Sequence, residues 1–223
     1  YGELEIDPSA LAAASIGQVH IAQVKKTGAQ IALKIQYPGV ARAISSDLKA
    51  LKTIALFAPG IARGTRLDQI LDEVEKMLRQ ETDYTIEADF SERFARYLSN
   101  DPRYIVPKIH REWCTPKVLA MQRICGHRLD SVSVQRLDQS RRNFLADALL
   151  DLYLRELFSF GCVQTDPHIG NYRIRIQGER TFDGQEIPND SLVLLDFGAV
   201  RDFSSEFVHR YRRLVLSSLE QDE

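Results

Sequence analysis

Three groups of residues in this chain have the types and the spacing needed for phosphoryl transfer. Leu194-Leu195-Asp196-Phe197-Gly198 closes an apolar run with a carboxylate, the way a buried strand delivers a magnesium ligand to the mouth of a cleft. Upstream, Gln164-Thr165-Asp166-Pro167-His168-Ile169-Gly170-Asn171 sets Asp166 and Asn171 five residues apart. A loop of that length turns an acid/base and a second metal ligand into one pocket. Further upstream, Ile31-Ala32-Leu33-Lys34 reads as a strand whose lysine would meet the α/β-phosphates, and Glu87 could hold that lysine in place. By composition, an Asp and an Asn at this spacing arise by chance in roughly one of two chains this long, so that pair decides nothing alone. Asp-Phe-Gly after a strand-like run has a chance rate on the order of a few per cent.

Competing chemistries find less support. A zinc reading would recruit His168 with Asp166 and Asp196, but His20, His110, His127 and His209 lack ligand-type spacing. No Gly-x-Ser-x-Gly elbow or Cys/His pair points to nucleophilic hydrolysis. Lys34 taken alone would be an ordinary exposed strand lysine, and Glu87 a solvated helix acid.

The elements that must position these groups follow from periodicity. Residues His20–Val24 and Ile31–Ile35 alternate around Lys25-Lys26-Thr27-Gly28, which predicts a β-hairpin turning at Gly28. Ile31, Leu33 and Ile35 share one face of the second strand, and Ala32, Lys34 and Gln36 the other. After Pro38-Gly39, Ile44, Leu48, Leu51 and Ala55 recur at helical spacing until Pro59-Gly60. One long helix is predicted from Leu67 to Leu98, containing Glu81, Asp83 and Glu87, with Asp83 and Glu87 on one face. Glu81 falls on its apolar stripe, where an unpaired carboxylate would cost about 3–5 kcal/mol, so a partner is expected. Asn100-Asp101-Pro102 ends that helix, Ile105-Val106 and Lys117–Met121 read as short strands, and Gly126 marks a junction. A helix over Phe144–Phe160 capped by Gly161, a polar excursion over Gly178–Asn189 and an amphipathic helix over Ser204–Leu219 complete the chain.

Composition sets the outer bounds. The 223 residues suffice for one domain of two lobes or two small domains. A formal net charge of −2 gives no argument for nucleic acid or for an acidic membrane surface. Cys114, Cys125 and Cys162 have no CxxC spacing and are odd in number, which disfavours a zinc site or a disulfide framework and fits a reducing, cytoplasmic environment. Neither of the longest uncharged stretches, Pro8–Val24 and Ile54–Ala62, can span a bilayer. Tyr1 opens directly into a folded-looking segment with no initiator Met or signal pattern, so the chain is expected to be cut from something longer.

Taken together, the residues resemble the UbiB (ADCK-type) family of atypical kinases. Five features carry the resemblance over almost the whole chain: Ala12-Ala13-Ala14-Ser15-Ile16-Gly17-Gln18-Val19-His20, Lys34, Glu81-x-Asp83-Tyr84 followed by Glu87-Ala88, Gln164–Asn171 and Leu194–Gly198. It implies an α+β, two-lobed, protein-kinase-like fold split near residues 122–126, with an alanine-rich loop where protein kinases have a glycine-rich one. It implies ATP and Mg2+ as cofactors, with Ala12, Ala13, Ala14, Ser15, Lys34 and Gln122 around the nucleotide. By the same resemblance Lys34 pairs with Glu87, Asp166 is catalytic, Asn171 and Asp196 bind magnesium, and Glu81 and Asp83 form an ExD motif. The family is linked to ubiquinone and other isoprenoid-lipid metabolism at membranes, so the expected partners are an adenine nucleotide and a lipid or isoprenoid small molecule. Membrane association would come through segments absent here. The expected activity is an ATPase or small-molecule kinase; the alternative is a pseudokinase acting as a nucleotide-gated lipid-binding or scaffolding module, and the bland reading is a non-catalytic helical scaffold. The chain departs from the family in lacking its KxGQ motif, in Ile169 where proline is frequent, and in Met121-Gln122, where an acid is expected second. No Ala-Pro-Glu follows Gly198, as expected where a peptide-substrate platform is missing.

Overall fold

The computed structural model describes residues 2–57, 65–182 and 185–220. In chain order the elements are β1 (Leu4–Ala14), β2 (Gly17–Val24), β3 (Gln30–Gln36), α1 (Val40–Phe57), α2 (Thr65–Glu81), α3 (Tyr84–Tyr97), β4 (Tyr104–Ile105), β5 (Val118–Gln122), α4 (Val132–Gln135), α5 (Gln139–Arg155), β6 (Cys162–Gln164), β7 (Tyr172–Arg175), β8 (Glu179–Phe182), β9 (Gln185–Pro188), β10 (Ser191–Leu194), β11 (Val200–Asp202) and α6 (Ser205–Glu220). They form two compact units, one of Tyr1–Phe90 with Lys108–Arg123, the other of Ser91–Pro107 with Ile124–Glu223.

The first unit is built on an antiparallel sheet of order β1-β2-β3-β5. Strand alternation sorts its side chains onto two faces. Ile31, Leu33 and Ala120 join Leu4, Ala22 and Val24 in one core, while Leu119 and Met121 pack with Tyr84 and Ala88 of α3 in another, against which Ala32 also lies. The expected division of β3 is therefore present. So is the hairpin: Gly28 has φ of 71°, a left-handed conformation that suits glycine at the turn. The expected Pro59-Gly60 helix stop lies outside the described residues.

Two expectations are corrected here. Ala12, Ala13 and Ala14 are not in a loop: they are paired in β1 with Val19, Gln18 and Gly17 up to a turn at Ser15-Ile16. The close pairing tolerates nothing larger than glycine at position 17, where an added Cβ would lie 2.2 Å from the Ile35 carbonyl oxygen. The single helix over Leu67–Leu98 is also two helices, α2 and α3, broken at Thr82-Asp83. Asp83 does not continue a helical face; its Oδ1 accepts from the Thr85 N–H (2.9 Å) and hydroxyl (2.6 Å), the use of a short acid that competes with the helix backbone. Gln36 fixes the break by donating to the carbonyls of Thr82 (2.7 Å) and Pro116 (3.1 Å).

In the second unit, β10 lies between β4, which it pairs in parallel, and antiparallel β7. β6 pairs with β11, and β8 with β9 as a hairpin within the predicted polar excursion. The helix predicted over Phe144–Phe160 is α5 followed by a π-helical turn over Glu156–Phe160, ended by Gly161 at φ 61° as expected of a left-handed cap. Leu145, Ala148 and Leu152 of α5 are buried, as are Leu192, Val193 and Ile174 of the sheet. Asp190 anchors the start of β10: its carboxylate is gripped by the Arg141 guanidinium at 2.6 and 2.7 Å and accepts from the Gln177 N–H at 2.9 Å.

Candidate functional site

In the first unit, Lys34 sits on central strand β3, with β2 on one side and edge strand β5 on the other. Its Nζ donates to both carboxylate oxygens of Glu87, at 2.8 and 2.9 Å, and lies 5.1 Å from the centre of the Tyr84 ring. The two side chains are only 8% and 3% exposed. The sheet face chosen by alternation and the first turn of α3 thus deliver two opposite charges to one buried point. Glu81, the last residue of α2, and Asp83 are half-buried beside the break rather than members of one helix with Glu87. Gln122 is exposed at the end of β5, where its backbone N–H donates to Lys108. Ala12 and Ala13 are exposed near the β1–β2 turn, as is Ser15, whereas Ala14 is half-buried. Because the alanines are ladder-paired, Ala13→Gly should cost about 0.5–1 kcal/mol by urea denaturation while changing ATP or ADP affinity; identical nucleotide affinities would remove this segment from the site.

The second unit brings Asp166, Asn171 and Asp196 together. Asp166 and Asn171 lie on the connection from β6 to β7, closed by a single 3-10 turn over Ile169–Asn171, with Asp196 on the turn after β10. The β7–β10 ladder places Tyr172 opposite Leu194, and Leu195 N–H donates to the Asn171 carbonyl at 2.9 Å, so both segments lie at the same end of the β7–β10 pair. Asn171 Nδ2 donates to the Asp166 carbonyl (2.9 Å) and to its Oδ2 (3.3 Å). That fixes the amide's orientation and leaves its Oδ1 as a hard oxygen donor, which suits magnesium. Asp196 Oδ1 accepts from the Gly198 N–H at 2.9 Å, and Phe197, 2% exposed, packs 4.9 Å from Phe94 between ring centres. Among the described residues no three histidine, cysteine or acidic side chains could jointly hold a metal, so the zinc reading has no geometry; His168 instead accepts from the Gly170 N–H at 3.0 Å.

Sequence reading missed Glu156 and the role of Gln164. Glu156 is 4% exposed, and its Oε2 accepts from the Gln164 N–H at 2.9 Å. Gln164 in turn accepts from the Asp166 N–H at 2.8 Å and donates to the Asp196 carbonyl at 3.4 Å. One buried acid thereby braces both segments. Its signal was present: a lone carboxylate beside Leu157, Phe158 and Phe160, an apolar setting like the one that singled out Glu81. Burial pushes the Glu156 carboxyl up to about 7, against the opposing pull of the Gln164 N–H. A folded-state value above the unfolded one means that the contribution to stability is complete below pH ~4.5 and is lost as pH rises through about 7. Between pH 4.5 and 8 the wild type should lose about 3 kcal/mol relative to Glu156→Gln, read from urea midpoints of the two proteins. Parallel pH profiles would show that Glu156 titrates normally.

A sheet unit with a buried Lys–Glu pair and a second unit with an Asp…Asn loop and an Asp-Phe-Gly turn define the mixed α+β protein-kinase-like class. Residues 4–223 match the ABC1 atypical kinase-like domain. The atypical kinase COQ8B, mitochondrial, of Rattus norvegicus is 39% identical over 211 residues, covering 95% of this chain and 37% of that protein. The atypical kinase COQ8, mitochondrial, of Saccharomyces cerevisiae is 33% identical over 211 residues, covering 95% of this chain and 39% of that protein. In structure, the chain is similar to Rv3197 of Mycobacterium tuberculosis, solved with erythromycin, with a TM-score of 0.70 and 27% identity over 89% of this chain and 46% of that one. The chain therefore belongs to the ABC1 (UbiB) family of atypical kinases, and it spans less than half the length of these relatives. Among the described residues no helix is long and apolar enough to cross a membrane.

Proposed function

We propose that this chain is the Mg-ATP-binding part of an atypical kinase or ATPase that serves ubiquinone or other isoprenoid-lipid metabolism rather than protein phosphorylation. The observation that carries the reading is the buried Lys34–Glu87 pair. Burying a lysine and a glutamate together gains little stability over an apolar pair, so their placement is better explained by a task that needs a fixed cation. In this reading Lys34 meets the α/β-phosphates, Glu87 orients it, and Asp166 accepts the proton of the attacking hydroxyl or water. Asn171 and Asp196 would hold magnesium, which when bound would neutralise phosphate charge. Asp83 and Glu81 act near the nucleotide by shaping the α2–α3 break, and Gln122 meets the adenine edge. The lipid link rests on family membership, and contact with a membrane surface would use parts of the protein beyond this chain.

Thermal-shift titration with MgATP and MgADP tests the reading. At about 100 times the dissociation constant, a ligand of the native state adds roughly 2.7 kcal/mol, which should raise the melting temperature by several degrees. No shift at millimolar nucleotide with magnesium would overturn it. A full shift with no turnover, on the full-length protein with lipid present, would favour the pseudokinase alternative.

A further inference from the structure

The second unit contains a cavity of about 220 Å³ that the phosphoryl-transfer chemistry does not use. Its wall is mostly apolar, with Leu129, Leu149, Leu152 and Ile169 among its residues, and Tyr153, Glu156, Gln164 and Tyr172 are its polar members. Glu156 is the unusual one. It is more than nine-tenths buried, and among the described residues the Gln164 N–H is the hydrogen-bond partner of its Oε2, while Oε1 has none. That oxygen is not sealed within the protein: Glu156 lines the cavity, and a donor entering there would complete its hydrogen bonding. An apolar cavity of 150 Å³ is already enough for benzene, so this one has room for a ring with a short polar substituent.

We propose that this cavity binds a small, mostly apolar molecule carrying one hydrogen-bond donor, which is received by the free oxygen of Glu156. The proposal deepens the functional reading above and rests on it for its consequence: occupancy would steady the catalytic loop. The path is short and contiguous. Glu156 holds the Gln164 N–H, Gln164 holds the Asp166 N–H and the Asp196 carbonyl, and Pro167 and Ile169 of the same loop form part of the cavity wall. Nearby, the phenol of Tyr172 and the thiol of Cys162 are each pushed up to about 12, chiefly by burial, so both stay neutral near pH 7. Above its own value of about 7 Glu156 is ionised and presents an acceptor without a competing cation in the cavity, so the probes are compared at pH 8.

Benzyl alcohol and anisole share one formula and nearly one shape, but only the alcohol donates a hydrogen bond. Saturation-transfer NMR titrations without nucleotide should show benzyl alcohol binding about tenfold more tightly than anisole. Glu156→Leu should erase the difference, Glu156→Gln should retain part of it, and Leu149→Trp, which fills the cavity from its rim, should weaken both probes. Amide hydrogen exchange over residues 165–171 should slow at saturating benzyl alcohol in the wild type and not in Leu149→Trp. Equal affinity for the two probes, no binding of either, or binding indifferent to Leu149→Trp would overturn the proposal. Because these measurements omit nucleotide, their failure is distinct from a failed MgATP shift. Melting curves on each variant separate lost binding from lost fold, and the two Glu156 variants keep the test decisive if one is unstable.

Discussion

Glu87→Ala is expected to destabilise the first unit by about 3–5 kcal/mol, because it takes the Glu87 carboxylate, at 2.8–2.9 Å, away from a buried ammonium. The two side chains are too buried for water to replace the lost partner, at 8% and 3% exposure. Surface ion pairs such as Arg210–Glu206, both side chains more than 70% exposed, should by contrast cost at most about 1 kcal/mol when broken. The double variant Lys34→Met with Glu87→Leu provides the internal control. It removes both charges and keeps comparable volume, so it should recover most of the loss, and the coupling energy from the cycle should approach the single-variant cost. Urea denaturation of wild type, Lys34→Met, Glu87→Leu and the double variant closes the cycle, with Glu87→Ala measured beside them. A Glu87→Ala loss below about 1 kcal/mol would mean that the pair is hydrated in solution. Nucleotide binding should not recover in the double variant, which separates the pair's chemical task from its structural cost.

Asp166→Asn should lower turnover by about 10²–10⁴-fold while leaving MgATP affinity within a few-fold of wild type, because a general base contributes in that range and does not hold the nucleotide. Asn at position 166 can still donate its N–H to Gln164 Oε1 and accept from Asn171 Nδ2 at its carbonyl, since the 2.8 and 2.9 Å contacts involve main-chain atoms of residue 166. The loop should therefore keep its shape. Asp196→Asn should do the reverse, weakening magnesium-dependent nucleotide binding by tenfold or more. Isothermal titration and single-turnover rates on both variants decide the matter: an unchanged rate in Asp166→Asn would end its assignment as base, and unchanged magnesium dependence in Asp196→Asn would end its assignment as metal ligand.

Much of this protein was legible from its residues alone, wherever the controlling interactions are local. The β2–β3 hairpin, its turn at Gly28 and the two faces of β3 follow from alternation and one permissive glycine; Gly161 and the Gly178–Asn189 hairpin follow from the same kind of short-range rule. The motif order likewise announced which acids belong with which strands, and the comparison with COQ8 proteins supports the family that those motifs suggested.

What only the tertiary structure decided involves partners distant in sequence. Periodicity ran straight through Thr82-Asp83, because an apolar stripe continues on both sides; the break is imposed by Gln36 reaching from β3 to the Thr82 and Pro116 carbonyls, a contact across 46 and 80 residues. The family resemblance placed the alanines in a phosphate loop, yet pairing with β2 extends the strand through them, since ladder hydrogen bonds outweigh a weak local preference. Glu156 was the deepest omission. Its helix could be read from the sequence, but its burial, its bond to Gln164 and its cavity exist only once α5 and the β6–β7 connection pack together, and burial is what lifts its carboxyl to about 7.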